Sequence, residues 1–299
     1  MKYLNHKPST RTFIVIRHSK KGFLKSRGMA ITCRRFRKRL IRGCVAWAVG
    51  VTLCRSEGDI GVKSFIQCAY LSRCKTDPTP KPLLFWTDNN GLRFGYEPDV
   101  AEAVAKRLGL TLGWAFLPWA EFGPAVQHAE ADAIWCGCAI TEGRQRSFLF
   151  SNPYAVFHES VLTRKGAGIR EPSDLLEMTV GAISGSTNMA LAEQRSGCKH
   201  VGFDGNSDDV FSDMINALRA GEIDAVVDDE PAFGGLVGGN EFEIAFTVET
   251  GNRWGAAMHP DSIELKVAID KVLDELIRSN QLRAIWQQTL DPIPFPRIA

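Results

Sequence analysis

Downstream of about residue 69 the chain alternates between uninterrupted apolar runs and segments in which apolar residues return every three or four positions. The first kind of pattern fits buried strands and the second fits amphipathic helices. Tyr70–Lys75 reads as a strand, and Pro78, Pro80 and Pro82 then force an irregular loop. Asp88-Asn89-Asn90-Gly91 is a turn signal between apolar residues and predicts a hairpin-like excursion. Val100, Val104 and Leu108 set a helix over Pro98–Leu108, and Gly109 ends it. Thr111–Phe116 is expected as a strand, Trp119–His128 as a short helix and Ala133–Cys138 as a strand buried on both faces. That β-α-β-α-β order implies a parallel sheet.

A second unit follows with a different sequence. Glu159–Arg164 is extended and Pro172–Leu176 is a short helix. Thr179–Ile183, His200–Phe203 and Ile223–Val227 read as strands. Helices are expected from Gly185-Ser186-Thr187 to about Gln194 and over Val210–Ala220, where Gly221 stops the second. Ile244–Val248 and Trp254–Met258 return as strands. Ser262–Arg278 carries Leu265, Ile269, Val272 and Leu276 on one face, and Gln281–Leu290 closes the chain as a helix. Two consecutive α/β units place strand ends and helix starts around a cleft between them.

Length and composition fit a globular protein, since 299 residues with 44% hydrophobic content suffice for a real core. Charge changes the picture at one end. Residues 1–42 hold 14 of the 36 Lys and Arg and no acidic residue, leaving 22 basic and 34 acidic residues over 43–299, a net −12. The basic run Arg34–Arg39 precedes the uncharged, mostly apolar Gly43–Cys54. A basic stretch followed by about 7–15 apolar residues is the pattern of an export signal, and it is shorter than the roughly 20 residues of a membrane span. Residues 1–56 are therefore read as a basic leader with a signal peptide, Met29 offering an internal start, and the mature protein is expected in the periplasm. A basic tail or an uncleaved anchor is the competing reading. No aromatic or structured nucleic-acid reader accompanies the basic head, so no nucleic-acid partner is expected.

The eight cysteines lack zinc-site spacing. Cys33, Cys44 and Cys54 fall in the leader, and Cys68, Cys74, Cys136, Cys138 and Cys198 remain. Cys136-Gly137-Cys138 could be a redox or metal pair, but inside a buried strand pattern these side chains read first as small hydrophobes. No cofactor and no metal are expected. The catalytic motifs G-x-S-x-G, H-E-x-x-H and a phosphate loop with Lys do not occur.

What the chain offers instead suits a small zwitterion. Arg144, soon after a buried strand, could clamp a carboxylate with two parallel hydrogen bonds, or could be a surface arginine. Ser186 and Thr187 at a helix start could seat an anion, or simply cap the helix. Asp228-Asp229-Glu230-Pro231 directly follow a strand, and a carboxylate there could hold an ammonium group, or lie in a solvated acidic turn. Trp119 could stack on a ligand or fill the core.

In combination these segments resemble a known family. Gly95–Asp99, Pro118–Val126, Asp132–Arg144, Phe150–Tyr154, Val180-Gly181 with Gly185–Thr187, and Gly221–Asp229 are similar, in order, to the elements of the bacterial family 3 solute-binding proteins, the amino-acid receptors of ABC importers. The resemblance spans about residues 70–290. It implies a two-lobed α/β fold of the periplasmic-binding-protein type 2 kind, each lobe a mostly parallel sheet flanked by helices, joined by a two-strand hinge. Residues 70–157 with 250–299 would form one lobe and 158–249 the other.

The resemblance also implies roles. Arg144 would bind the ligand α-carboxylate, with Ser186 and Thr187 helping from the other lobe, and Asp229 would take the α-amino group. Trp119 would be an aromatic wall, Gly137 would present a backbone carbonyl, and Asp77 would sit near the ligand side chain. Two positions depart from the family. Ala139 stands where Ser or Thr usually adds a hydroxyl, and Pro80 and Lys81 stand where a second aromatic wall usually lies.

The function so implied is capture of an amino acid or similar small polar ligand by lobe closure and delivery to an inner-membrane ABC permease, by a monomer that is not an enzyme. An enzyme on the same scaffold, like the cyclohexadienyl dehydratases that act on prephenate or arogenate, is the first rival. An accessory or sensor module of another periplasmic system is the second.

Overall fold

The computed structural model describes residues 65–71, 84, 86–87, 93–291 and 293–298. The leader, Asp77, Pro80 and Lys81 lie outside the described residues.

The first strand, β1 (Phe65–Leu71), is followed by a small antiparallel pair, β2 (Trp86–Thr87) and β3 (Arg93–Phe94), consistent with the hairpin expected around the Asp88–Gly91 turn. Next come α1 (Tyr96–Leu108) and β4 (Thr111–Leu117). A 3-10 turn over Trp119–Glu121 passes into α2 (Phe122–Gln127), then β5 (Ala133–Ile134), α3 (Glu142–Gln145), β6 (Leu149–Phe150) and β7 (Ala155–Arg164). The second half runs β8 (Thr179–Ile183), α4 (Thr187–Glu193), β9 (Lys199–Phe203), α5 (Val210–Ala220), β10 (Ala225–Asp229), β11 (Phe242–Trp254) and β12 (Ala257–Met258). It ends on α6 (Ile263–Arg278) and α7 (Gln281–Thr289).

These strands form two five-stranded sheets with one plan. In the first, β1 lies between β4 and β5, all three parallel; in the second, β8 lies between β9 and β10, again all parallel. Antiparallel strands complete each sheet: β12 pairs with β5 and β6, while β7 pairs with β10 and β11 with β7. The carboxyl ends of the parallel strands carry the loops that meet between the sheets, as open α/β sheets require. The borders 157/158 and 249/250 anticipated for the lobes fall inside β7 and β11, which run side by side from Arg164↔Phe242 to Ala155↔Trp254.

Helix ends follow local chemistry. Gly109 closes α1 in the left-handed region at φ 68°, donating its N–H to Ala105 and Lys106 carbonyls, and Gly221 does the same for α5 at φ 78°. One face of the first sheet is covered by α1, α6 and α7, whose Val100, Val104, Leu265, Ile269, Leu276 and Trp286 are buried in a common cluster. Separate clusters around Met214 and Leu218 and around Val180 and Val227 pack the second sheet. No helix among the described residues is long and apolar enough to cross a membrane.

Several expected elements differ. The first strand is described over Phe65–Leu71 and so begins earlier than the anticipated Tyr70–Lys75, of which 72–75 lie outside the described residues. Only Ala133–Ile134 of the run to Cys138 is in the ladder, because the backbone turns at Gly137 with φ 59°. The strands expected at Ile244–Val248 and Trp254–Met258 are instead β11, with register shifts at Ile244/Phe246 and Val248/Asn252, and the separate β12. Between the two expected strands, Thr250 and Asn252 donate to the carboxylate of buried Glu159 on β7, and residues 249–253 belong to β11.

Candidate functional site

A cavity of about 550 Å³, counting its open mouth, lies between the sheets. Its wall comes from the carboxyl ends of parallel strands. Trp119 follows β4, Cys136 and Gly137 follow β5, Ser186, Thr187 and Asn188 follow β8, and Asp228 and Asp229 end β10. Arg144, Leu84, Ile183, Phe211 and Ala232 complete it.

The basic side is Arg144. The Thr141 hydroxyl caps α3 by accepting from the Arg144 backbone N–H at 3.2 Å. The Arg144 guanidinium donates through Nη1 to the Ala139 carbonyl at 3.1 Å, and its Cζ lies 5.6 Å from the centre of the Trp119 ring. Both partners are neutral, so they orient the cation without cancelling its charge; Arg144 has no ion pair among the described residues.

The acidic side is β10. Asp229 and Asp228 are each 8% exposed. The indole of Trp254 donates to Asp229 Oδ2 at 3.0 Å, while Asp229 Oδ1 is buried without a partner. Asp228 Oδ1 accepts from Asn188 Nδ2 at 3.0 Å and from the Asp229 backbone N–H at 2.7 Å. Burial raises both carboxyl pKa values, and the nearby charge of Glu159 adds to it; for Asp229 the neighbouring Asp228 charge contributes as well. Ser186 lies at the start of α4, where its oxygen accepts from the Met189 N–H at 3.0 Å. The N-cap reading and the cavity-wall reading thus hold for the same residue.

Beneath the wall sits a carboxyl group that the sequence did not single out. Glu97 is fully buried, and its Oε2 accepts from the Gly137 N–H and from the Tyr154 hydroxyl, both at 2.9 Å. It therefore fixes the backbone of Gly137, a wall residue. Tyr154 is itself held by stacking on Trp135, with ring centres 5.3 Å apart. Burial pushes the Glu97 carboxyl up to about 7, and its Oε1 has no partner.

A folded-state pKa above the unfolded one gives stability that is complete below the unfolded value of 4.5 and lost as pH rises through about 7. Glu97→Gln keeps an oxygen for both donors and removes that loss. The variant is expected to exceed the parent by about 2 kcal/mol at pH 8 and not at pH 4.5, allowing for one poorly paired amide N–H. Urea unfolding at the two pH values measures it, and an equal or lower stability at pH 8 would refute the assignment.

The loops also meet across the mouth. The Ala120 N–H donates to the Gly205 carbonyl at 2.9 Å. A Cβ on Gly205 would stand 3.1 Å from Trp119 Cδ1, so the loop after β9 lies against the loop after β4.

The family model of the bacterial extracellular solute-binding proteins, family 3, matches residues 73–291. The chain belongs to that family. Its members are binding proteins of the periplasm or the cell exterior. The lysine/arginine/ornithine-binding periplasmic protein of Escherichia coli (strain K12) is 29% identical over 216 residues, 68% of this chain and 81% of the relative. A mutant of ArgBP from T. maritima superposes with TM-score 0.66 at 26% identity, covering 75% of this chain and 94% of its own. The amino acid ABC transporter substrate-binding protein AbpA from Streptococcus pneumoniae Canada MDR_19A, solved with L-arginine, superposes with TM-score 0.65 at 25% identity over 76% and 94% of the two chains. The two-lobed α/β fold is shared with these structures.

Of the residues singled out from the sequence of this family member, Trp119, Gly137, Arg144, Ser186, Thr187 and Asp229 come together on the cavity wall. Ala139 does not reach it: its side chain is in the core, and only its carbonyl enters the site, through Arg144. Asp77 follows β1 outside the described residues. Cys136 and Cys138 are thiols packed in an apolar cluster, as their buried run suggested, and Cys136 also reaches the wall. Among the described residues no cluster of His, Cys, Asp and Glu could hold a metal ion. Asn188 and Glu97 were missed, and Asp228 was read only as part of the acidic strand end with Asp229. Asp228 stood next to Asp229 in the sequence, but nothing local said that both would be buried.

Proposed function

We propose that the protein captures an amino acid between its lobes and presents it to an ABC permease, acting outside the cytoplasm as a monomer after export by residues 1–56. The observation that supports this reading is the opposition of two incomplete groups on one cavity: the Arg144 guanidinium, without an acidic partner among the described residues, and the Asp229 carboxyl group, with a buried oxygen that lacks a partner among them. A zwitterion supplies what each lacks. The Arg144 fork takes the α-carboxylate, the Thr187 and Ser186 hydroxyls assist it, and Asp229 takes the α-ammonium. The ligand bridges two lobes, so it favours the closed arrangement by its higher affinity for it. Asp77 would lie toward the ligand side chain, and the site binds its ligand without turning it over.

A thermal-shift screen of the purified protein against the amino acids, polyamines, small organic acids and prephenate tests this. An occupant at 100 times its dissociation constant adds about 2.7 kcal/mol, which raises the melting temperature by roughly 5–10 °C in a chain of this size. The amino acid that produces the shift should be recovered unchanged. If no amino acid shifts the well-folded protein, the reading is wrong, and steady conversion of prephenate or arogenate would make it an enzyme instead.

A further inference from the structure

We infer that the loop after β4 and the loop after β9 form a latch that holds the two lobes closed, with Gly205 as the residue that permits it; this rests on the capture-by-closure reading above and concerns the regulation of that same cleft.

The bond at its centre joins backbone to backbone. Ala120 is the second residue of the 3-10 turn Trp119–Glu121, and the first N–H groups of a helical turn find no acceptor within it. The Ala120 N–H donates instead to the Gly205 carbonyl at 2.9 Å, whereas the Glu121 N–H donates back to the Pro118 carbonyl at 3.0 Å. Gly205 is presented by a turn that braces itself: Asp204 Oδ1 accepts from the backbone N–H and from the side-chain Nδ2 of Asn206, both at 2.9 Å.

The indole of Trp119 adds packing on both sides. It lies against Phe122 with ring centres 5.4 Å apart, at the edge of an apolar cluster of the first sheet, and it also packs against the cluster around Met214 and Leu218 of the second. Gly205 is buried beside it. A Cβ there would stand 3.1 Å from Trp119 Cδ1 and 3.4 Å from the Ala120 nitrogen, although the Gly205 backbone lies outside the left-handed region. The glycine is thus required by the approach of the other loop and not by its own conformation. Contacts made where the lobes meet favour the closed arrangement whatever the occupant, and they leave less of the closing for the ligand to supply. They consist of protein atoms alone, so the latch forms for part of the time in ligand-free protein and slows release from the liganded one.

Amide hydrogen exchange, followed by NMR on the ligand-free parent, Gly205→Ala and Gly205→Val, tests this. The Ala120 amide is expected to exchange at least about tenfold faster in the valine variant than in the parent, with the alanine variant between them, the scale of a lost hydrogen bond and an overpacked contact together. The Glu121 amide, bonded inside its own turn, should keep its rate. The ligand-free melting temperature should move by less than about 2 °C, because parting of the lobes relieves the clash. Equal exchange at Ala120 in the parent and the valine variant overturns the latch. So does a large fall in the ligand-free melting temperature of both variants, which would place Gly205 and Trp119 within one rigid body. With a mixture of the twenty amino acids the thermal shift should be smaller in the variants than in the parent, and an equal shift refutes a part for the latch in capture. A parent that shows no shift counts against the amino-acid reading alone and leaves the exchange rates to decide the latch.

Discussion

Arg144→Ala is expected to lower amino-acid affinity by about 100-fold or more while the protein stays folded. The first part follows from the proposed contact. A carboxylate brought out of water into the cavity needs a charged, geometrically matched partner, and truncating one side of such a pair typically costs 2–5 kcal/mol, with 1.4 kcal/mol per factor of ten. The second part follows from what Arg144 touches. Its side chain is only partly buried, and its hydrogen bonds go to neutral groups, the Ala139 carbonyl and the Cys138 sulfur. Arg144→Lys separates charge from shape: it keeps the cation and loses the planar fork, so it should fall between parent and alanine variant. Titration calorimetry on the three proteins, with circular dichroism to verify folding, decides the matter. An alanine variant within about threefold of the parent would remove Arg144 from the binding site.

Trp254 carries the second large effect, on stability and on the site together. It is fully buried at the end of β11, stacks on Phe157 with ring centres 4.6 Å apart, and lies under Gly137. Trp254→Ala should cost about 3–5 kcal/mol, because the neighbouring strands cannot collapse into the volume left by an indole. Trp254→Phe isolates the hydrogen bond: it retains much of the packing and removes the donor to Asp229 Oδ2. A carboxyl group that loses a donor to its ionised form titrates at higher pH, and Asp229 is already raised by burial. An ammonium group binds the ionised form, so the phenylalanine variant should lose affinity at pH 7 and regain it as pH rises. Denaturant unfolding reads the first effect and pH-dependent titration the second. A phenylalanine variant with unaltered affinity from pH 6 to 9 would mean that the indole serves packing alone.

Most elements were legible because they are local. Val210–Ala220 was readable in full, since an apolar period of three to four residues and Gly221 sit within one stretch of sequence. The strand Thr179–Ile183 was likewise bounded by polar and glycine residues. The site was legible in part for a related reason. Strand-end residues such as Asp229 are marked by the apolar run before them, and a parallel sheet sends all such ends to one edge; Arg144 reaches the same edge from α3, beyond β5.

Where the reading failed, a distant partner decided the outcome. Thr250 and Asn252 look like a break in a strand until Glu159, far away in the chain, is found beside them on β7. Glu97 reads as an ordinary acidic residue in the first turn of α1 and becomes a support for Gly137 only because the start of α1 meets the turn after β5. By itself the sequence determined the order of strands and helices, their caps and the side of each sheet on which functional groups lie, because propensity, capping and hydrophobic period act over a few residues. Only the tertiary structure decided that Asp228 and Asn188 are buried together and that Trp254 donates to Asp229. Burial and pairing are properties of groups brought together across the fold, and no local pattern carries them.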